Sequence, residues 1–236
     1  MKLQRLYSYV RQALDDYNMI AEGDKIALGM SGGKDSYTLL YAMAGLKKFY
    51  PKRFDIVAVT VDLGYEGFDT TPIAGICEEL KVEYHVEKTG ISKMLGDNGC
   101  SLCARLRKGA FGEAALNMGC NKMAYAHNLD DAVETMMLSL IYEGRFSCFE
   151  PVTRYDDNCL TLIRPLIYVP AGRVMGFATK QDFPIVKNPC PFDKNTERTY
   201  VRGLLKEIEK HAPGTKARMM TAVKKGIYSK NLIKDK

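Results

Sequence analysis

The chain of 236 residues has no tryptophan, only three histidines, and no apolar run near the length of about 18 residues that a membrane-spanning helix requires. The longest comparable stretch, Ile56 to Val61, is the size of a strand. That pattern excludes a helical membrane span. Lys2, Arg5 and Arg11 near the start are not followed by a continuous apolar segment, and Asp15 and Asp16 fall where one would lie. A secretory leader is therefore not expected, and the expected location is the cytoplasm. Internal repeats, low-complexity tracts and linkers are also missing, which leaves a single domain over residues 1–236 as the simplest organisation. The cysteines number seven, an odd count that argues against a disulfide framework and toward ligation, catalysis or core filling.

The apolar share of 46% and the charged share of 26% are those of an ordinary globular chain with a core to bury. The formal net charge of +6 is unevenly spread. Residues 201–236 carry ten Lys or Arg against three Asp or Glu, whereas the rest carries 24 against 25. A basic tail of this kind either follows a phosphate backbone, releasing counterions, or forms a solvated helix face.

Leu3, Leu6, Tyr7, Val10, Leu14 and Tyr17 recur at helical spacing and predict an amphipathic helix over residues 1–21. Alternation follows. Strands are expected at Lys25–Met30, Phe54–Asp62, Val82–Val86, Lys122–Ala126 and Leu160–Ile163. Helices are expected at Ser36–Phe49, Pro72–Leu80, Ala104–Met118, Leu129–Tyr142 and Ala171–Gln181, with more in the tail. Parallel strands need crossover connections, so this order predicts an α/β fold with an open, doubly wound parallel sheet and a helical C-terminal extension.

Between the first strand and the next helix lies Met30-Ser31-Gly32-Gly33-Lys34-Asp35-Ser36, at the sheet edge where open α/β folds bind ligands. Two glycines let the backbone turn its N–H groups around an anion, the helix start adds positive dipole, Lys34 adds charge, and Ser31 and Ser36 add hydroxyls. The Walker pattern fails, because Leu28 stands where its first glycine belongs and Asp35 follows the lysine. The dinucleotide pattern GxGxxG fails too. A second segment, His127-Asn128-Leu129-Asp130-Asp131 with Glu134 and Thr135 beyond it, falls at the end of the fourth strand and hence at the same edge. Asp130 and Asp131 could hold Mg²⁺ or orient a base, or simply cap a helix dipole.

The stretch SGGKDS after a first strand resembles the PP-loop of the ATP pyrophosphatase superfamily, and HNLDD is similar to the HxxDD motif of its tRNA-thiolating members. The resemblance implies ATP cleavage between the α and β phosphates with adenylation of a substrate. It also implies a nucleotide site formed by residues 30–36 and by Val61 and Asp62 at the end of the second strand. Lys34, Asp130 and Asp131 would be its catalytic groups, with Mg²⁺ as cofactor.

Cys100 and Cys103 have the spacing that brings two thiolates to one metal, and Cys190 lies between Pro189 and Pro191 on a constrained loop. A lone CxxC can be a redox pair, half a zinc site or chance. Cys77, Cys120, Cys148 and Cys159 lack such spacing and fit core filling. CSLCARLRKGAF and IRPL at residues 163–166 resemble the TtcA family, the tRNA 2-thiocytidine synthetases, over residues 20–215. HNLDD and the run from Cys190 to Gly214 are also similar to the TtuA and Ncs-type 2-thiouridine synthetases.

The TtcA resemblance implies a [4Fe-4S] cluster held by Cys100, Cys103 and Cys190 with one iron left open for sulfide. It implies tRNA as partner, with Arg105, Arg107 and Lys108 placed to meet its backbone, and an unidentified sulfur donor. A homodimer is compatible with it. Asp193 stands where many members of that family have a further cysteine. Open alternatives at this point are 2-thiouridine formation, another adenylated acceptor, and a nucleotide-binding metal protein without turnover.

Overall fold

A computed structural model of the chain describes residues 1–95, 100–155, 160–187, 189–190 and 197–229, with Cys100 described in its backbone alone. Six strands, β1 (Asp24–Gly29), β2 (Phe54–Asp62), β3 (Glu83–Lys88), β4 (Lys122–Ala124), β5 (Val152–Tyr155) and β6 (Leu160–Ile163), form one sheet in the order β3-β2-β1-β4-β6-β5. All neighbouring pairs are parallel except β5 with β6. The chain thus moves outward from β1 to β3, then returns to the other side of β1 with β4. That reversal opens a crevice beyond the ends of β1 and β4, the position where such sheets take ligands.

The helices are α1 (Leu3–Asp16), α2 (Lys34–Leu46), α3 (Thr71–Glu79), α4 (Ile91–Met94), α5 (Cys100–Asn117), α6 (Leu129–Glu143), α7 (Ala171–Gln181), α8 (Glu197–His211) and α9 (Thr215–Val223), the last continued by a π-helical turn at Lys224–Tyr228. They cover both faces of the sheet, and strand residues alternate accordingly. Ile26, Leu28, Ile56 and Ala58 face a large core with α1, α2, α6 and the tail helices, while Ala27, Val57 and Val59 face a smaller one built on Phe111, Ala114 and Ala115 of α5. The expected α/β class and sheet are therefore present. No helix among the described residues is long and apolar enough to cross a membrane.

Three local expectations are corrected. The opening helix stops at Asp16 rather than near residue 21, because Asn18 takes a left-handed conformation (φ 47°) and Met19 N–H donates back to the Leu14 carbonyl at 3.0 Å. The helix expected from Ala104 already begins at Cys100, which puts the CxxC pair on the first turn of α5. The antiparallel strand β5 was not expected at all.

The two edges of the sheet differ. Along β3 the two end residues are exposed and the four between them are partly buried, and three of its six residues, Glu83, Glu87 and Lys88, are charged. At the opposite edge, β5 runs against the direction of the other strands. The tail is docked rather than trailing: Val201, Leu205, Met220, Val223 and Tyr228 are buried, and α8 and α9 pack on α6.

Candidate active site

The backbone of Met30 prolongs the strand pairing beyond β1 by donating to the Val59 carbonyl at 2.8 Å, and the chain then turns through Gly32 at φ +73°. Only glycine is at ease there. A Cβ at that position would also lie 2.6 Å from Cβ of Val186, whose N–H donates to the Gly32 carbonyl at 3.0 Å. Ser31 Oγ accepts from Gly33 N–H at 3.3 Å, and Ser36 Oγ donates to the Gly33 carbonyl at 2.8 Å. No side chain caps α2, so the N–H groups of its first turn are left for an outside acceptor.

A cavity of about 640 Å³ opens over this loop. Met30, Ser31, Gly33, Asp35 and Ser36 form one wall, and Val61 and Asp62 with Tyr65 and Phe68 form the second. The third wall comes from α5, through Ala104, Arg107, Lys108 and Phe111, and from Val186 and Pro189. Tyr125, His127 and Asp131 close the back. The structure thus brings most of the sequence-predicted residues to one space.

Some predicted residues lie differently. Lys34 does not line the cavity; its ammonium is held by the neighbouring Asp35 carboxylate. Asp130 is likewise off the wall, because its carboxylate accepts from Ala171 N–H at 2.6 Å and from Lys216 Nζ at 2.8 Å. Asp131, by contrast, faces the cavity, and Asn128 stands between it and Asp35. Asn128 Nδ2 donates to Asp35 Oδ1 at 2.9 Å, and Asn128 N–H donates to Asp131 Oδ2 at 2.9 Å. Burial pushes the Asp131 carboxyl up, partly offset by the Asn128 N–H, and the charges of Asp35 and Glu134 push it further. A cation between Asp35 and Asp131 would relieve that repulsion, and their oxygens suit Mg²⁺, whose other ligands would be phosphate and water.

Arg105 is exposed and lies outside the cavity, whereas Arg107 and Lys108 are on its rim; Lys108 Nζ sits 3.8 Å above the Tyr155 ring. Cys103 and Cys190 are both half-buried, and the residues beside them, Ala104 and Pro189, share the cavity wall. The Cys100 side chain and Asp193 lie outside the described residues. Among the described residues no group of three or more His, Cys, Asp or Glu forms a metal site. The remaining described cysteines behave as core. Cys77 and Cys120 are buried, burial pushes the Cys77 thiol up to about 12 and that of Cys120 upward, and Cys148 donates to the Ala132 carbonyl at 3.3 Å. Cys159 lies outside the described residues.

Several site residues had no role in the sequence reading. Asn128 caps α6 with a reciprocal capping box, a signal readable in its N-x-x-D spacing. Arg164, in the IRPL stretch, is only 7% exposed; it donates to His127 Nδ1 at 3.3 Å, to Thr153 Oγ1 at 3.1 Å and to the Glu150 carbonyl. Glu134, 3% exposed, accepts from Arg202 at 2.8 and 3.0 Å and from Arg198 at 3.4 Å, which ties α8 to α6. Burial, then the charges of Arg164, Arg198 and Arg107, hold the His127 imidazole down at about 3, so it is neutral at pH 7.

Comparison with known proteins places the chain in a family. The sequence profile of the PP-loop domain family matches residues 4–208. A tRNA-cytidine(32) 2-sulfurtransferase of Geobacter metallireducens is 37% identical, over 94% of this chain and 90% of its own length. The same-named protein of Pseudomonas entomophila is 40% identical over 90% of this chain and 81% of its own. Among solved structures, the U34-tRNA thiolase NcsA of Methanococcus maripaludis, determined with its [4Fe-4S] cluster, superposes with a TM-score of 0.78 at 26% identity, covering 93% of this chain and 76% of that one. With a turn that requires glycine at position 32, at the reversal point of this sheet, these likenesses make the chain a member of the PP-loop family in its TtcA branch.

Proposed function

We propose that the protein is an ATP-dependent tRNA sulfurtransferase that replaces the C2 oxygen of a cytidine by sulfur, releasing AMP and pyrophosphate. One observation carries this reading: a single cavity is walled by the uncapped start of α2 on one side and, on the other, by Ala104 and Pro189, the neighbours of two predicted thiolate ligands. Nucleotide and sulfur chemistry would then share one space. The similarity to tRNA-cytidine(32) 2-sulfurtransferases supports cytidine over uridine as the target.

In this reading the backbone N–H groups of residues 34–36 and the Ser31 hydroxyl receive the phosphates, and Val61 and Asp62 border the nucleoside. The cytidine O2 attacks the α-phosphorus and pyrophosphate leaves, which turns a poor leaving group into AMP. Mg²⁺, held by Asp35 and Asp131, would offset charge on the phosphates. Lys34 would leave Asp35 for the triphosphate, since a phosphate chain offers it more charge than a single carboxylate. Asp130, bound to Lys216 and Ala171, acts by holding α6 in place. Arg107 and Lys108 at the rim, with Arg105 outside it, would meet the RNA backbone.

A [4Fe-4S] cluster fits the soft donor set Cys100, Cys103 and Cys190, and its open iron would supply activated sulfide to C2. In support, Ala104 and Pro189, the chain neighbours of Cys103 and Cys190, line the cavity. The protein itself must then exclude water from the adenylated base, a task for the apolar walls Phe68, Phe111 and Tyr125.

The test is anaerobic purification with iron and sulfide analysis, then ATP-dependent thiolation of tRNA read by nucleoside mass spectrometry. Cys190→Ser should lose the cluster and the thiolated product while still binding ATP; full thiolation by that variant would refute the ligand assignment. Lys34→Ala should keep the cluster and lose AMP formation, and undiminished AMP release would reject its role.

A further inference from the structure

His127 lies in the cavity wall, and the partner of its Nδ1 atom is Arg164. Arginine can only donate a hydrogen bond, so Nδ1 must accept and carries no proton. A neutral imidazole without a proton on Nδ1 carries it on Nε2. No described residue engages Nε2. The ring is also fixed in orientation, edge-on to Tyr125 and tilted against Phe149, with ring centres 5.7 and 4.8 Å apart. Arg164 is itself fixed: it lies at 4.8 Å over the Phe149 ring, and it donates to the Thr153 hydroxyl in β5 and to the carbonyl of Glu150 just before it. The antiparallel strand thus seats the residue that sets the tautomer.

We infer that Arg164 locks His127 into a permanent Nε2–H donor that reads the unprotonated N3 of cytosine, and so selects cytidine over uridine at the target position. The inference rests on the sulfurtransferase reading above. If the pyrimidine O2 is to meet the α-phosphorus over residues 31–36, the ring atom beside C2 that a protein can read is N3, because N1 is bonded to ribose. His127 lines the same cavity as that loop, and its neighbour Asn128 bonds Asp35 of the loop, so the ring stands on the flank of the reaction centre. Cytosine N3 is an acceptor and uracil N3 carries a hydrogen. A fixed donor pairs with the first and faces a second donor in the other. A site built for one polar partner rejects its counterpart strongly, since a buried polar group is left unpaired. His127 would contact substrate, whereas Arg164 is a positioning residue acting through it.

Two measurements test this. The chain has three histidines, so nitrogen-15 correlation spectra of the imidazoles can be assigned by the signal lost in His127→Gln. At pH 7 the wild-type His127 should show the neutral Nε2–H pattern, Arg164→Lys should keep it, and Arg164→Met should mix the two tautomers. A dominant Nδ1–H or a doubly protonated ring in the wild type overturns the inference. The reconstituted holoenzyme is then given tRNA transcripts bearing cytidine, 3-deazacytidine or uridine at the target site. The wild type should favour cytidine over both by about 10- to 100-fold, the range expected for one mispaired polar contact. His127→Gln, whose amide end offers both a donor and an acceptor, and Arg164→Met should narrow the cytidine-to-uridine ratio to within about 5-fold. An unchanged ratio in an active variant overturns the inference. So does a wild type that thiolates 3-deazacytidine as fast as cytidine, which needs no variant to fold. A wild type that yields only 2-thiouridine, or no sulfur-bearing nucleoside, instead overturns the reading on which the inference stands.

Discussion

Helices α2 and α6 begin at the same sheet edge, one after β1 and the other after β4, yet their first turns are finished in opposite ways. In α6 the Asn128 side chain accepts from the N–H groups of Asp130 and Asp131, and Asp131 returns a carboxylate oxygen to Asn128 N–H. Its donors are satisfied internally. In α2 the cap position is Gly33, which has no side chain to offer, and Ser31 takes up only the Gly33 N–H. An orphaned helix start is unfavourable unless something fills it, so the contrast separates a start that organises the site from one that waits for an anion. The Asn128–Asp35 bond joins the two.

The largest effect should come from breaking the open start. Gly32→Val puts a branched side chain at positive φ and into Val186, so ATP-dependent AMP formation should fall by roughly 100-fold or more, with a stability loss of about 1–3 kcal/mol. A variant retaining half the wild-type rate would show that the turn is not needed. Asn128→Ala should come next, because it removes a cap worth about 1 kcal/mol and also releases Asp35. AMP formation should drop by roughly tenfold and the midpoint of thermal unfolding should fall by a few degrees. If stability alone changes, Asn128 merely caps α6. A smaller effect is expected from inorganic pyrophosphate, which should raise the unfolding temperature of the wild type and not of Gly32→Val; an equal rise in both would place the anion elsewhere.

The pH dependence is a gradual effect spread over several units, and its sign follows from His127. The unfolded imidazole takes up a proton near its ordinary value of 6.5, whereas the folded one resists until about 3, because of burial and of Arg164, Arg198 and Arg107. Below 6.5 the unfolded chain therefore binds the extra proton, and stability declines as pH falls through that window, by at most about 1.4 kcal/mol per pH unit from this group. In His127→Gln, denaturant titrations between pH 6.5 and 4 should show a shallower decline. An identical slope would assign the acid sensitivity to other groups.

Much of this was legible beforehand because the signals are local. The glycine pair after an apolar strand, the alternation of strand and helix, and the HNLDD helix start each fit within a few residues, and their positions agree with the structure to within a turn. Contacts between distant segments were not legible. Lys34 turns to its neighbour Asp35, and Asp130 is committed to Lys216, 86 residues away. Nothing in the spacing of either could reveal it. The His127 tautomer depends on an arginine 37 residues downstream, and that arginine depends on a strand of four residues whose pattern is too short to stand out. The early stop of α1 came from Asn18, whose tolerance of left-handed backbone is a tendency and not a rule.

The outer margins of the sheet have a consequence for life at high protein concentration. A bare row of backbone donors and acceptors invites ribbon growth between molecules. On β3 the side chains of Glu83, Glu87 and Lys88 set charges along that row, and a second copy laid beside it would have to strip water from them before it could pair. The reversed β5 at the far margin ends the parallel series and is itself only four residues long. Neither flank offers the long, flat, uncharged template that open-ended stacking requires.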